Sequence, residues 1–139
     1  DTRQGGSIEY ERNVFHTRKL FAFDLGASAS IWQTDARGDT FRTLSAYPLA
    51  RFFLLRNDTM DAYFSYSIAG PTFISEYQLD DLNTGAKFTF QDMMGVGAFL
   101  GKSRRLNAEV SIKHFSNGNL ATSNAGIKIP LTFKIGLVF

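Results

Sequence analysis

The chain has no cysteine. That excludes a disulfide framework and any thiolate metal site. Only three prolines interrupt its 139 residues, and it carries just two histidines and one tryptophan. No apolar run approaches the ~20 residues of a membrane-crossing helix. Neither sign of charge dominates. Fifteen Lys and Arg stand against thirteen Asp and Glu, a formal +2, spread along the chain, which argues against a dedicated nucleic-acid surface. The length fits one domain, residues 1–139. The chain opens on Asp1-Thr2-Arg3, as a processed and exported chain would. What is abundant is phenylalanine, fourteen in all.

Those aromatics fall into alternating patterns. Residues two apart share one face of a strand. Gly6 to Glu11 is a short first strand with Ile8 and Tyr10 on one face. From Leu20, Phe21, Phe23, Leu25, Ala27, Ala29 and Ile31 oppose Asp24, Gly26, Ser28 and Ser30, and Trp32 ends the strand. From Thr40 to Leu54 the pattern repeats, with Pro48 inside it, tolerated at a bulge or edge. Met60 to Ile68 is a fourth strand, Gly70-Pro71 a tight turn, and Thr72 to Gln78 a weaker fifth. Phe88 to Leu100 and Ala108 to Lys113 follow, joined by a turn at Gly101-Lys102-Ser103-Arg104. The last strand sets Ile127, Ile129, Leu131, Phe133, Ile135, Leu137 and Phe139 against Lys128, Thr132, Lys134 and Gly136.

Eight strands and no helix leave two architectures. A soluble sandwich or lipocalin-like barrel buries the apolar faces. An outer-membrane barrel turns them to lipid and keeps small and polar side chains within. The second is favoured. The opposing faces carry Lys, Arg, Glu, Asp, Gly and Ser, a poor recipe for a dry core. Aromatics gather near strand ends, as interfacial girdles do, and the strand count is even. A mean hydropathy of -0.12 does not object, because only alternate residues need be apolar. The expected fold is all-β, an eight-stranded antiparallel transmembrane β-barrel.

Chemistry-bearing residues concentrate in His114-Phe115-Ser116-Asn117-Gly118-Asn119, followed by Asn124-Ala125-Gly126-Ile127. A histidine takes a proton, a hydroxyl attacks, and amides hold an oxyanion. His114 and Ser116 are two apart and project side by side. Alone, such a pair also fits a histidine and a serine bonded to a turn at a strand end. Their parity is that of Ala108, Val110 and Ile112, the lipid-facing side. Elsewhere, His16 reads as a solvated loop histidine beside Arg18 and Lys19. Asp80-Asp81 with Asn83 reads as an acidic turn. Arg18, Lys19, Arg56 and Lys87 are expected near the outer rim.

His114-Phe115-Ser116-Asn117, with Asn124 and Gly126-Ile127 beyond it, resembles the PagL-type lipid A 3-O-deacylases. Upstream, Phe90-Gln91-Asp92-Met93-Met94-Gly95-Val96-Gly97 is similar to the same family's aromatic-acidic-glycine strand. The resemblance is specific over Phe88 to Ile127 and architectural before that. It implies a bacterial outer-membrane barrel that hydrolyses an acyl ester at position 3 of lipid A, without cofactor or metal. The implied partners are lipopolysaccharide in the outer leaflet and the surrounding lipid, with no nucleic acid; a second copy of the chain is a further candidate. By the same resemblance the nucleophile falls on Ser116, the base on His114 and the oxyanion asparagine on Asn124, supported by backbone near Asn117 and Gly126. Both termini are expected at the periplasmic side, which puts His114 near the outer end of its strand.

The family's acid falls at Lys128, which alternation assigns to the lumen. A replacement comes from strand geometry. A hairpin turn centred near Ser103 gives antiparallel partners an index sum of about 206. Asp92 then stands opposite His114, on the same face as Phe88 and Phe90. Glu9, Glu11 and Glu109 are poorer choices, because alternation turns all three inward. Two rival classes remain: a non-catalytic barrel of the same family that has lost its acid, and a soluble β-barrel that binds an apolar ligand.

Overall fold

A computed structural model describes residues 4–34, 37–76, 78–79, 82–123 and 125–139. Seven long strands form one antiparallel sheet: β1 (Gln4–His16), β2 (Phe21–Gln33), β3 (Thr40–Arg56), β4 (Met60–Ile74), β7 (Phe88–Leu100), β8 (Leu106–Ser116) and β9 (Ile127–Leu137). Each pairs with the next, so the sheet order is β1-β2-β3-β4-β7-β8-β9. A two-residue-per-strand hairpin, β5 (Gln78–Leu79) with β6 (Leu82–Asn83), sits in the connection between β4 and β7. The sheet curls into a half-barrel whose apolar faces turn outward. Ile8, Leu44, Val96, Phe133, Ile135 and Leu137 are all exposed, while the opposite face of the same strands is buried.

Inside, the middle of the barrel is ionic. Arg51 binds Asp24 and Glu11; Lys134 reaches Glu11 at 2.9 Å and Glu109 at 3.4 Å; Lys113 meets Glu9 at 2.5 Å. Tyr63 donates to Glu109 at 2.9 Å. Charges withdrawn from water are tolerated only when paired and hydrogen-bonded, and alternation delivers both signs to the same lumen. Arg51 also lies over the rings of Tyr63 and Phe99. A soluble barrel that holds an apolar ligand has the reverse arrangement, with its apolar faces inward. Above the ionic layer, Trp32, Phe41, Ile74, Leu79, Phe115, Ile127 and Ile129 form a closed apolar cluster. It fills the barrel at the end where residues 34–39, 75–87 and 117–126 make the long connections. The short turns, residues 17–20, 57–59 and 101–105, lie at the other end.

Bulges account for each departure from simple alternation. The runs 60–68 and 72–78 are not two strands. Gly70-Pro71 continues β4, and the register against β7 shifts between Ser67 and Gly70. On the other side of β4, the register against β3 shifts between Ser45 and Ala50, around Pro48. Among the described residues, Gln4 lies at the long-loop end and Leu137 at the short-turn end. β1 and β9 therefore run in the same direction and do not pair. A cleft of about 1490 Å³ lies between them, with Glu9, Glu11 and Lys134 on its walls. Arg18, Lys19 and Arg56 also lie at the short-turn end; of the four expected rim cations only Lys87 is at the long-loop end.

Another bulge lies in β9. Ser111 faces Thr132 but Lys113 faces Ile129, so Pro130 and Leu131 together oppose Ile112. A proline has no N–H for the ladder, and a bulge is where it costs least. The extra residue inverts the parity beyond it. Ile127 and Ile129 are fully buried rather than lipid-facing, and Lys128 is exposed rather than in the lumen. Below the bulge the expected alternation holds: Leu131, Phe133, Ile135 and Leu137 stand outward, and Lys134 turns to the lumen glutamates. Phe133→Arg is expected to destabilise the folded protein in lipid vesicles by roughly 2–4 kcal/mol if its depth is mid-membrane. Reversible urea unfolding reads this. An unchanged midpoint would show that Phe133 does not face hydrocarbon.

Candidate active site

β8 ends at the long-loop end with its side chains sorted by parity. Phe115 and Asn117 point in and are buried at 0% and 1% exposure. His114 and Ser116 point out. Phe115 locks the strand end into the apolar cluster and so fixes where its two outward neighbours stand. The β7–β8 register pairs Asp92 with His114 and Phe90 with Ser116, and the β8–β9 register pairs His114 with Lys128. Three strands therefore present Asp92, His114 and Lys128 in a row on one outward face, with Ser116 next to His114 toward the loop. The index sum expected from the short hairpin is the one observed, with Asp92 opposite His114.

His114 and Asp92 are each about two-fifths exposed, and Nδ1 lies 3.8 Å from Asp92 Oδ2. That is an ion-pair separation, longer than a hydrogen bond. The other carboxylate oxygen is engaged. Asp92 Oδ1 accepts the backbone N–H of Ala69 at 2.7 Å. Ala69 has φ of 53°, a left-handed conformation that a non-glycine residue rarely adopts, and it sits inside the β4 bulge. The bulge thus turns one amide toward Asp92 and leaves the second carboxylate oxygen for the histidine. Reading Gly70-Pro71 as a turn hid this contact, although the Gly-Pro pair was its signal.

The other edge of the ring meets the loop. A Cβ built on Gly126 would overlap His114 Nε2, so only glycine lets this backbone approach. Gly126 is a steric wall behind the imidazole as well as a possible amide donor. The Ser116 hydroxyl makes no hydrogen bond to the ring among the described residues; such bonds are often loose in free enzymes and tighten with substrate. Asn124 lies outside the described residues, as do Asp80 and Asp81. Asn117 is placed inside, with its amide bound to loop carbonyls rather than beside Ser116. His16 is at the short-turn end, where Nδ1 is 3.2 Å from Asn13 Oδ1. Among the described residues no group of three or more His, Asp or Glu is arranged to hold a metal ion.

These features define a class: an outer-membrane-type β-barrel with a histidine, a serine and a carboxylate gathered on its outward face. The family model described as lipid A 3-O-deacylase (PagL) matches residues 4–129, and the chain belongs to that family. Among solved structures, one described as the crystal structure of the outer membrane enzyme PagL is similar, with TM-score 0.74 and 22% identity over 98% of this chain and 88% of that one. That likeness concerns the fold. No curated protein matches the chain in sequence.

Proposed function

We propose that this protein is an outer-membrane esterase that removes the 3-O-linked acyl chain of lipid A, with Ser116 as nucleophile and His114 as general base. The observation that carries the reading is the outward-facing row of Asp92, His114 and Ser116 in a chain of this family. A soluble substrate would not meet a catalytic pair on that surface, whereas the ester of a lipid in the same membrane lies against it. The long loops are taken as the cell-surface side, which places the pair beside the leaflet that holds lipopolysaccharide.

Ser116 Oγ attacks the acyl carbonyl as His114 takes its proton, and the carbonyl oxygen becomes an oxyanion that Asn124 and nearby backbone amides support. Collapse breaks the ester bond. The imidazolium returns its proton to the departing sugar oxygen, and the acyl chain stays on Ser116. Water activated by His114 then releases the fatty acid and restores the serine. Asp92 orients the imidazole and stabilises its charged form. The cycle consumes one water and needs neither cofactor nor metal. One chain suffices; pairing with a second copy is not part of the reading.

A second reading has one observation in its favour: Lys128, where the family's acid falls, stands across from His114. On that reading the chain is a barrel without activity. The discriminating experiment is co-expression with a hexa-acylated lipid A and mass spectrometry of the extracted lipid. Loss of one 3-hydroxyacyl chain supports the esterase; an unaltered lipid mass with the barrel folded in the membrane supports the inactive barrel.

A further inference from the structure

Asn117 follows directly on the His-Phe-Ser run, and its side chain is almost fully buried. Its Nδ2 donates to Thr84 O at 2.5 Å and to Ser123 O at 2.6 Å, and its Oδ1 accepts from Asn119 N at 2.8 Å. A primary amide has two N–H hydrogens. Both are committed to loop carbonyls, which leaves none for an oxyanion at Ser116.

The two carbonyls belong to different loops, and other contacts join the same two loops. Asn83 O accepts the N–H of Ala125 at 2.9 Å and the Ser123 hydroxyl at 2.9 Å. A Cβ on Gly85 would overlap Ser123 O, and Gly85 has φ of 77°, so that close approach needs glycine. Ser123 and Ala125 are thus tied to Asn83, and Ser123 also to Asn117. The residue after Ala125 is Gly126, whose backbone backs the His114 ring at Nε2.

We infer that Asn117 is a positioning residue: by clamping the loop 117–126 to the turn 83–85, it presses Gly126 against His114 and sets the direction in which the imidazole faces Ser116. The inference rests on the reading of His114 and Ser116 as base and nucleophile, and it deepens that reading. Asn117 touches neither substrate nor reacting atoms. Its loss lets the segment before Gly126 relax, and the ring loses its backstop. The outward surface of β7 and β8 that meets the acyl chain is untouched, so turnover falls more than substrate binding. A misplacement of about 1 Å transmitted from outside the chemistry can cost about 10²-fold.

The experiment compares wild type with Asn117→Ala, Asn117→Gln and Gly126→Ala in detergent, with heat-modifiable gel mobility as the folding check. Two readouts are taken: kcat and KM on lipid A, and the ¹⁵N resonances and titration of the His114 ring, which need no activity. Expected are a kcat lower by about 10²-fold for Asn117→Ala with KM changed much less, partial recovery in Asn117→Gln, and shifted His114 resonances in both Asn117→Ala and Gly126→Ala. If Asn117→Ala does not fold, the other two variants decide. Folded variants with wild-type His114 resonances and kcat overturn the positioning role. Activity that survives Ser116→Ala would instead overturn the catalytic reading, while the His114 resonances would still report whether Asn117 holds the ring.

Discussion

If Ser116 is the nucleophile proposed, Ser116→Ala is expected to lower lipid A deacylation by on the order of 10⁶-fold, as removal of a serine nucleophile does elsewhere. The hydroxyl is the only atom lost, and it contributes nothing to the fold that the structure records. Ser116 is half-buried on the outward face, opposite Phe90, and among the described residues its hydroxyl holds no other group. The barrel should therefore keep its heat-modifiable mobility. A residual rate above the uncatalysed one is expected, because binding and oxyanion support survive. Ser116→Cys keeps a nucleophile of altered size and should retain a small fraction. The measurement is release of 3-hydroxy fatty acid from purified lipid A, followed by mass. A fully active Ser116→Ala would remove the His-x-Ser pair from the mechanism whatever the family.

Most of what places that serine is legible in the chain. Period-two alternation is enforced by burial, so the outward sets on β2, β7 and the lower part of β9 follow directly from residue type. The β7–β8 register was also readable. A short turn leaves little freedom in pairing, so one index sum fixes every partner from Phe90 with Ser116 to Leu100 with Leu106. The proposed site residues that ride on this hairpin, Asp92, His114 and Ser116, therefore fall together as the register expected.

What was not legible was the insertion of single residues. A bulge changes which face a side chain occupies without altering composition or periodicity on either side. In β9 it moves Lys128 from the lumen to the face of His114 and sinks Ile127 and Ile129 into the apolar cluster. In β4 it fuses two runs into one strand, and Arg18, Lys19 and Arg56 fall at the short-turn end rather than the expected rim. Proline marked two of these places, Pro71 and Pro130, and in a long alternating run a proline is better read as a bulge than as a turn or an accident. The pairing of His114 with Asp92 escaped the error because it follows from the hairpin beside it.

The bulge in β9 also sharpens the most exposed claim, that Asp92 serves as the acid. Asp92→Asn is expected to lower kcat by about 10⁴-fold, the loss seen when a triad acid is made neutral. The substitution is chosen because asparagine keeps an oxygen for the Ala69 N–H, so the β4 bulge should hold. Its amide would then face His114 Nδ1 as a donor and favour the wrong tautomer. Across the ring stands Lys128. Lys128→Glu reverses its charge and puts a carboxylate on the β9 side of the same histidine. The imidazole has two nearly equivalent orientations about χ2, so Nδ1 can turn to β9. Lys128→Glu in the Asp92→Asn background should therefore recover roughly tenfold or more of the lost rate by restoring an acceptor for the ring. Single-turnover rates with folding checked separately are the measurement. Undiminished turnover in Asp92→Asn would take Asp92 out of the mechanism. A double variant as slow as Asp92→Asn alone would mean that only the β7 side, with its second oxygen pinned by the β4 bulge, holds a carboxylate in reach of the ring.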